Sequence, residues 1–200
     1  MRPRTARLTL ITVAIAVVVG TSACSETVDP DQALAEGLAQ QQAGNDEAAA
    51  ASYQDVLDVR PGDKFANYNL GVIEQSEGRA ALAEGYYRAA LSTDPAFVPA
   101  LFNLAILRTA VGATQEAIDL YLRVIEAQPD YAAAHLNLGL LYQKVGEAKR
   151  GERELNRALE IDPTLADRLA TQPIGPEGGR ADGDADADAA ATASASSASP

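Results

Sequence analysis

The sequence predicts an all-α solenoid of about four helix-turn-helix repeats, and three observations support this prediction. The 200-residue chain is 47% hydrophobic but only 5% aromatic, a mixture that favours packed helices over a β-sandwich. Prolines recur every 34 residues, at Pro61, Pro95, Pro129 and Pro163. Glycines keep the same step, at Gly44, Gly78, Gly112 and Gly146. A unit of this length has room for two helices and two turns.

Three further positions keep the period of 34 residues. They are Tyr53, Tyr87, Tyr121 and Leu155; Gly37, Gly71, Ala105 and Gly139; and Leu57, Leu91, Ile125 and Leu159. This pattern resembles the tetratricopeptide repeat over about residues 31–163. The resemblance implies a domain at 31–170, with repeats at about 31–63, 64–97, 98–131 and 132–165.

Residues 1–23 have the composition of a secretory signal peptide. Arg2, Arg4 and Arg7 precede an uncharged apolar run, Leu8–Val19, which is shorter than the roughly 20 residues of a membrane-spanning helix. A retained short membrane anchor is the alternative. The segment ends at Thr21-Ser22-Ala23-Cys24, and Cys24 is the chain's single cysteine.

This ending resembles the lipobox of bacterial lipoproteins, although Thr21 stands where that family usually has leucine. The resemblance implies that Cys24 carries acyl chains such as palmitate and becomes the first residue of the mature protein. Residues 24–30 are expected to be a linker. Acylation at Cys24 would place the protein on a membrane, outside the cytoplasm: on the outer face of the cell membrane, or in the periplasm at an outer membrane.

Repeat 2 shows how each unit is expected to fold. Its first helix is predicted at 64–77 and ends at Gly78, because glycine tolerates the positive φ of many helix C-termini. The second runs from about Ala80 to Ser92 and is closed by Asp94-Pro95. Its inward residues are predicted to be Leu82, Tyr87, Ala90 and Leu91. Gly71 is expected to leave room where two helices cross.

Both ends of the array depart from this pattern. Repeat 1 has Glu36 where the others have leucine, so we expect it to be the loosest repeat. After Pro163, residues 164–170 are expected to form a short polar capping helix. Residues 171–200 are rich in Ala, Asp and Ser and are predicted to be a disordered acidic tail.

The tetratricopeptide resemblance implies that the first helices line a concave peptide-binding groove. Asn69, Asn103 and Asn137 lie one period apart and resemble an asparagine ladder that holds a peptide backbone, since an amide both donates and accepts hydrogen bonds. A local structural hydrogen bond is the alternative. The predicted apolar floor of the groove is Tyr68, Phe102, Leu136, Val72, Ile106 and Leu140, with Leu34 and Leu38. Packing between helices is the alternative, more so for Val72, Ile106 and Leu140 than for the two aromatic residues.

Several kinds of chemistry are not expected. The chain has 28 acidic and 16 basic residues, which argues against nucleic-acid binding. His135 has no Cys, Asp or Glu three or four residues away, and Asp182, Asp184, Asp186 and Asp188 lack the glycine and glutamate of a calcium loop. We predict no catalytic residues, no metal, no cofactor and no small-molecule substrate.

The sequence therefore predicts a non-catalytic lipoprotein scaffold. Its partner is expected to be a peptide segment or an amphipathic helix of an envelope protein. Assembly of a pilus, a secretion machine or another envelope complex is the expected setting. The alternative function is an accessory subunit that positions an envelope enzyme.

Overall fold

The computed structural model describes residues 28–166, which form eight α-helices and no β-strand. The predicted all-α fold class is therefore confirmed. The helices are α1 (Pro30–Gln42), α2 (Asp46–Val59), α3 (Lys64–Ser76), α4 (Ala80–Thr93), α5 (Val98–Ala110), α6 (Thr114–Ala127), α7 (Ala132–Lys144) and α8 (Ala148–Ile161). The signal segment, Cys24, most of the expected cap and the tail lie outside the described residues.

The helices follow the sequence period closely. First helices α1, α3, α5 and α7 have 13 residues each, and second helices α2, α4, α6 and α8 have 14. Each helix packs against the helices before and after it in the chain. Because helices of this length are marginal alone, their stability must come from packing between neighbours. None of the helices between residues 28 and 166 is long and apolar enough to cross a membrane.

A positive-φ glycine ends every first helix, as the sequence predicts. Gly78 has a φ of +76°, and its N–H donates to the Gln75 carbonyl at 3.0 Å. The next N–H, of Arg79, donates to the Glu74 carbonyl at 2.8 Å. This pair of hydrogen bonds is the Schellman motif. It also occurs at the equivalent turns of the other three repeats.

Close helix crossings require the glycines in the middle of α1 and α3. A Cβ added at Gly71 would lie 2.5 Å from Cε1 of Tyr87, and one added at Gly37 would lie 2.5 Å from Cε1 of Tyr53. Both tyrosines are fully buried. In repeats 1 and 2 the tyrosine ring of the second helix therefore occupies the space left by the glycine of the first.

The orientation predicted for Leu82 is wrong, because its side chain is 53% exposed. The buried residues of α4 are Ala83, Tyr87 and Ala90. These three lie within about 60° of one another around the helix, and Leu82 lies about 100° from Ala83. Leu82 therefore faces solvent on the outer side of the second helices.

Repeat 1 is packed through a smaller core than the other repeats. Its buried apolar residues, with Ala66, Leu70 and Ile73 of α3, form one cluster, and the buried residues from Tyr68 to Tyr142 form another. The boundary between the two clusters lies in α3, because Ala66, Leu70 and Ile73 belong to the first cluster and Tyr68 to the second. That repeat 1 is the loosest repeat stays a prediction.

Candidate functional site

The three asparagines of the predicted ladder lie on the first helices α3, α5 and α7, at the contact with the preceding repeat. The Asn103 amide Nδ2 lies 3.4 Å from the hydroxyl of Tyr68 and 3.4 Å from that of Tyr87. The Asn137 side chain hydrogen-bonds with Tyr121. Two of the three amides therefore have partners within the repeat array. The peptide-binding ladder stays a prediction, and hydrogen bonding between repeats is the role these contacts support.

Asn69 differs from the other two asparagines. Its side chain is buried, at 5% exposure, and its Nδ2 has no hydrogen-bond partner among the described residues. The position of Tyr68, which contacts Asn103, is occupied in repeat 1 by Leu34. Because leucine has no acceptor, the contact between repeats 1 and 2 lacks one of the hydrogen-bond partners found between repeats 2 and 3.

Tyrosines of the second helices connect the two layers of helices. The Tyr53 hydroxyl donates to Oε1 of Gln41 at 2.8 Å, and the Tyr87 hydroxyl donates to Oε1 of Gln75 at 2.8 Å. Tyr121 hydrogen-bonds with Thr109, the equivalent residue of repeat 3. Burial raises the pKa of the Tyr121 hydroxyl far above its usual range. The Tyr121 hydroxyl therefore stays protonated, and all three hydroxyls act as structural hydrogen-bonding groups.

The predicted placement of Tyr68 and Phe102 in an open groove has to be corrected. They are 5% and 2% exposed. Tyr68 packs edge-on against Phe97, with ring centroids 5.5 Å apart, and Phe102 packs against Tyr131 at 5.0 Å. Phe97 and Tyr131 lie directly before α5 and α7 and cover the aromatic ring of the preceding repeat.

Phe97 and Tyr131 are residues that the sequence reasoning missed, although they lie one period apart. The equivalent residue before α3 is Asp63, whose Oδ1 accepts hydrogen bonds from the N–H groups of Phe65 and Ala66 at 3.0 Å. Repeat 2 therefore begins with a helix cap where repeats 3 and 4 begin with an aromatic cover. As a result, Leu34 of repeat 1 stays half-buried.

The other predicted floor residues are half-buried and recur along the first helices of all four repeats. We call this set the groove row. It consists of Leu34, Leu38, Val72, Ile106, Leu136 and Leu140. Within a helix, members four residues apart share one face. Val72 and Ile106 pack on the core with one side and are accessible on the other.

His135 is a packed residue of α7. It is 5% exposed, its Nδ1 lies 2.8 Å from Oε2 of Glu154, and its Nε2 lies 3.1 Å from the Pro129 carbonyl. Asn67 is equivalent in repeat 2, and its Nδ2 donates to the Pro61 carbonyl at 3.2 Å. Both side chains thus tie a first helix to the turn before it. Among residues 28–166 no group of three His, Cys, Asp or Glu side chains could hold a metal ion.

A shallow cleft of about 350 Å³ lies between α4 and α6, on the side of the second helices. Its apolar floor includes Leu91, Leu104 and Leu120. Of the charged groups at its rim, Arg88 is paired with Glu116 at 2.9 Å and Arg123 donates to the Pro95 carbonyl at 2.7 Å. Because both arginines are already engaged, the groove row is the better candidate for binding a partner.

Family models for the tetratricopeptide repeat match three parts of the chain. They cover residues 34–96, 107–146 and 132–165. Comparison with curated proteins finds no match. These matches span all four helix pairs, so the repeat pattern read from prolines and glycines corresponds to the family that it resembles.

Several solved structures have folds similar to that of this chain. The crystal structure of MamA aligns with a TM-score of 0.63 and 20% identity, over 70% of this chain and 81% of that one. PilF from Pseudomonas aeruginosa aligns at 0.60 and 24%, over 67% and 61%. An O-GlcNAc transferase from Thermobaculum terrenum aligns at 0.52 and 26%, over 56% of this chain but 22% of the transferase. These likenesses concern the fold of the aligned region.

Proposed function

The chain is a tetratricopeptide repeat protein, a fold that serves as a protein-interaction scaffold, and we propose that it is a membrane-tethered, non-catalytic scaffold. In this proposal the groove row binds a segment of a protein partner. The lipid anchor is Cys24, and the partner is a component of an envelope complex such as a pilus or a secretion machine.

The groove row is the observation that supports binding most directly. Its six aliphatic side chains are half-buried and accessible across all four repeats. Covering such side chains contributes about 0.8 kcal/mol for each CH₂ group removed from water. An amphipathic helix, or an extended segment with apolar residues on one side, has the matching chemistry.

Charge recognition in the groove has little support, because most cations of the first helices are already paired. Lys64 Nζ lies 2.6 Å from Oδ2 of Asp94, and Arg108 lies 3.0 Å from Glu84 and 2.8 Å from Glu116. Lys144, at the end of α7, has no ion-pair partner within residues 28–166. Apolar contact is therefore the mode of recognition that we propose.

The charge of repeat 1 fits a tether that holds the domain away from the bilayer. Residues 28–63 contain eight acidic residues and one arginine, and they are the part of the domain nearest to Cys24 in the sequence. Anionic lipids repel such a surface within a Debye length, about 8 Å at physiological salt. Acyl chains at Cys24 would keep the protein at the membrane while the groove stays accessible.

Charged substitutions in the groove row test the proposal. Changing Ile106→Glu and Leu140→Glu together is expected to weaken partner binding at least about tenfold, because each carboxylate would have to lose water on binding. The measurement is the amount of the native partner co-purified from detergent-solubilised membranes, compared with wild type.

The matched control places the same charges on the outer side of the second helices. Leu82 and Leu122 are 53% and 40% exposed, so Leu82→Glu with Leu122→Glu should leave binding unchanged. Thermal unfolding of both variants checks that the array is folded. Equal loss of partner in the two variants would contradict binding in the groove.

A further inference from the structure

We propose that the acidic segment 182–188 of the tail docks on the outer face of α8, in the last repeat. The receiving surface is a row of three cations, Lys149, Arg153 and Arg157, which we call the α8 basic row. The docking segment lies outside the described residues, and its sequence places Asp182, Asp184, Asp186 and Asp188 at alternate positions. This inference is independent of the proposed groove function.

The α8 basic row is accessible and largely unpaired. All three side chains are exposed. Arg157 lies 3.2 Å from Glu160, but the two side chains are 49% and 67% exposed, so water and salt weaken this pair. Within residues 28–166, Lys149 and Arg153 have no hydrogen bond or ion pair. Two cations thus have no direct ion-pair partner in the described part of the chain.

Neighbouring groups on α8 do not neutralise the row. Arg150 is engaged with Glu147 at 2.8 Å and with the ring of Tyr142 at 4.0 Å. Glu154 is occupied by His135. The exposed Glu152 and Glu160 border the row, which leaves an excess of one positive charge on this face. The described part of the chain is otherwise strongly acidic, so this surface is unusual for the molecule.

The other second helices lack such a row at the equivalent positions. In α2 these positions hold Glu47, Ala51 and Asp55. In α4 they hold Ala81, Gly85 and Ala89, and in α6 they hold Gln115, Asp119 and Arg123. The outer surface therefore changes from acidic at repeat 1 to basic at repeat 4. An acidic segment would be repelled by the first end and attracted to the last.

Spacing adds specificity to this attraction. Successive cations of the row are four residues apart and therefore about 6.0 Å apart along the helix axis. From the first cation to the third, the row turns by about 80° around the helix. In an extended chain, alternate side chains point to the same face, at steps of about 6.6 Å. Alternating aspartates therefore match the α8 basic row in step length. Consecutive aspartates would place only every second carboxylate on the same face.

The tail also has the length that the contact requires. The fifteen residues 167–181 span up to about 50 Å when extended, and a 14-residue helix such as α8 is about 21 Å long. The segment can therefore turn back and reach the full basic row. Because it is attached to the same chain, its effective concentration near α8 is about millimolar.

Zero-length carbodiimide cross-linking of the full-length protein in non-ionic detergent tests the proposal. The chain has three lysines, Lys64, Lys144 and Lys149, so cross-links to aspartates 182–188 can be assigned by mass spectrometry. We expect adducts at Lys149 to exceed those at Lys144 by about fivefold, because three exposed ion pairs together increase the docked population by about this factor. Their fraction should not change on dilution and should fall in 1 M salt.

Two variants separate this contact from general charge attraction. Arg153→Glu with Arg157→Glu keeps Lys149 and should remove most of the adducts. Rearranging residues 182–188 so that the four aspartates are consecutive, at the same composition, should reduce them as well. Equal labelling of Lys144 and Lys149, or full adduct yield with the rearranged tail, would overturn the proposal. Adducts that disappear on dilution would assign the contact to a second copy and would overturn it too.

Discussion

Changing Gly71→Ala is expected to lower the free energy of unfolding of the repeat array by about 1–3 kcal/mol. The new Cβ would lie 2.5 Å from Cε1 and 2.7 Å from Cδ1 of Tyr87. This ring is fully buried, its hydroxyl donates to Gln75, and it packs against Tyr68. Moving the ring away from the new Cβ would disrupt both the hydrogen bond of its hydroxyl and its contact with Tyr68. Urea unfolding followed by circular dichroism measures the loss.

Gly85 supplies the matched control for this substitution. It lies in α4, its backbone has an ordinary helical φ, and nothing lies within 4 Å of an added Cβ. Gly85→Ala is therefore expected to raise the free energy of unfolding by about 0.5–1 kcal/mol, since alanine forms helices better than glycine. Stabilisation by both substitutions, or equal destabilisation by both, would contradict the close packing of α3 against Tyr87.

Changing Cys24→Ala is expected to move the protein from the membrane fraction to the soluble fraction. The proposed acyl chains require this thiol, the only one in the sequence. Stable anchoring needs two hydrophobic signals, such as two acyl chains, so their loss should release nearly all of the protein. Metabolic labelling with a clickable fatty acid, followed by fractionation, measures both the modification and its consequence.

Ser25→Ala is the control for the anchor, because it changes the neighbouring residue and keeps the thiol. We expect it to be labelled and fractionated like wild type. Unlabelled wild-type protein in the soluble fraction would contradict the lipobox interpretation. The repeat array would then be a diffusible binding module.

Much of the fold was predictable because its signals are local and recur. Gly78 marks the end of a helix through its own backbone preference, and Asp94-Pro95 marks the end of the next. The pair of Gly71 and Tyr87 also recurs one period earlier, as Gly37 and Tyr53. In each case the residue type alone limits the conformation, so the sequence reveals the position.

The candidate site was less predictable, because burial there depends on contacts between repeats. Tyr68 has an accessible position by helical register, yet Phe97 of the next turn covers it. Asn103 has the chemistry to bind a peptide, yet two tyrosine hydroxyls lie next to its amide. These partners are 16 to 35 residues away in sequence. The signal in the sequence for the covering ring is the pair of aromatic residues Phe97 and Tyr131, which lie one period apart.

Site-specific photo-crosslinking in native membranes tests the central claim, that the groove row binds a protein segment. A benzophenone amino acid at Ile106 reports on the groove, and the same group at Leu122, 40% exposed on α6, reports on the outer side. We predict a discrete covalent adduct with one protein from position 106 and none from position 122. An adduct from position 122 alone, or from neither position, would contradict binding in the groove.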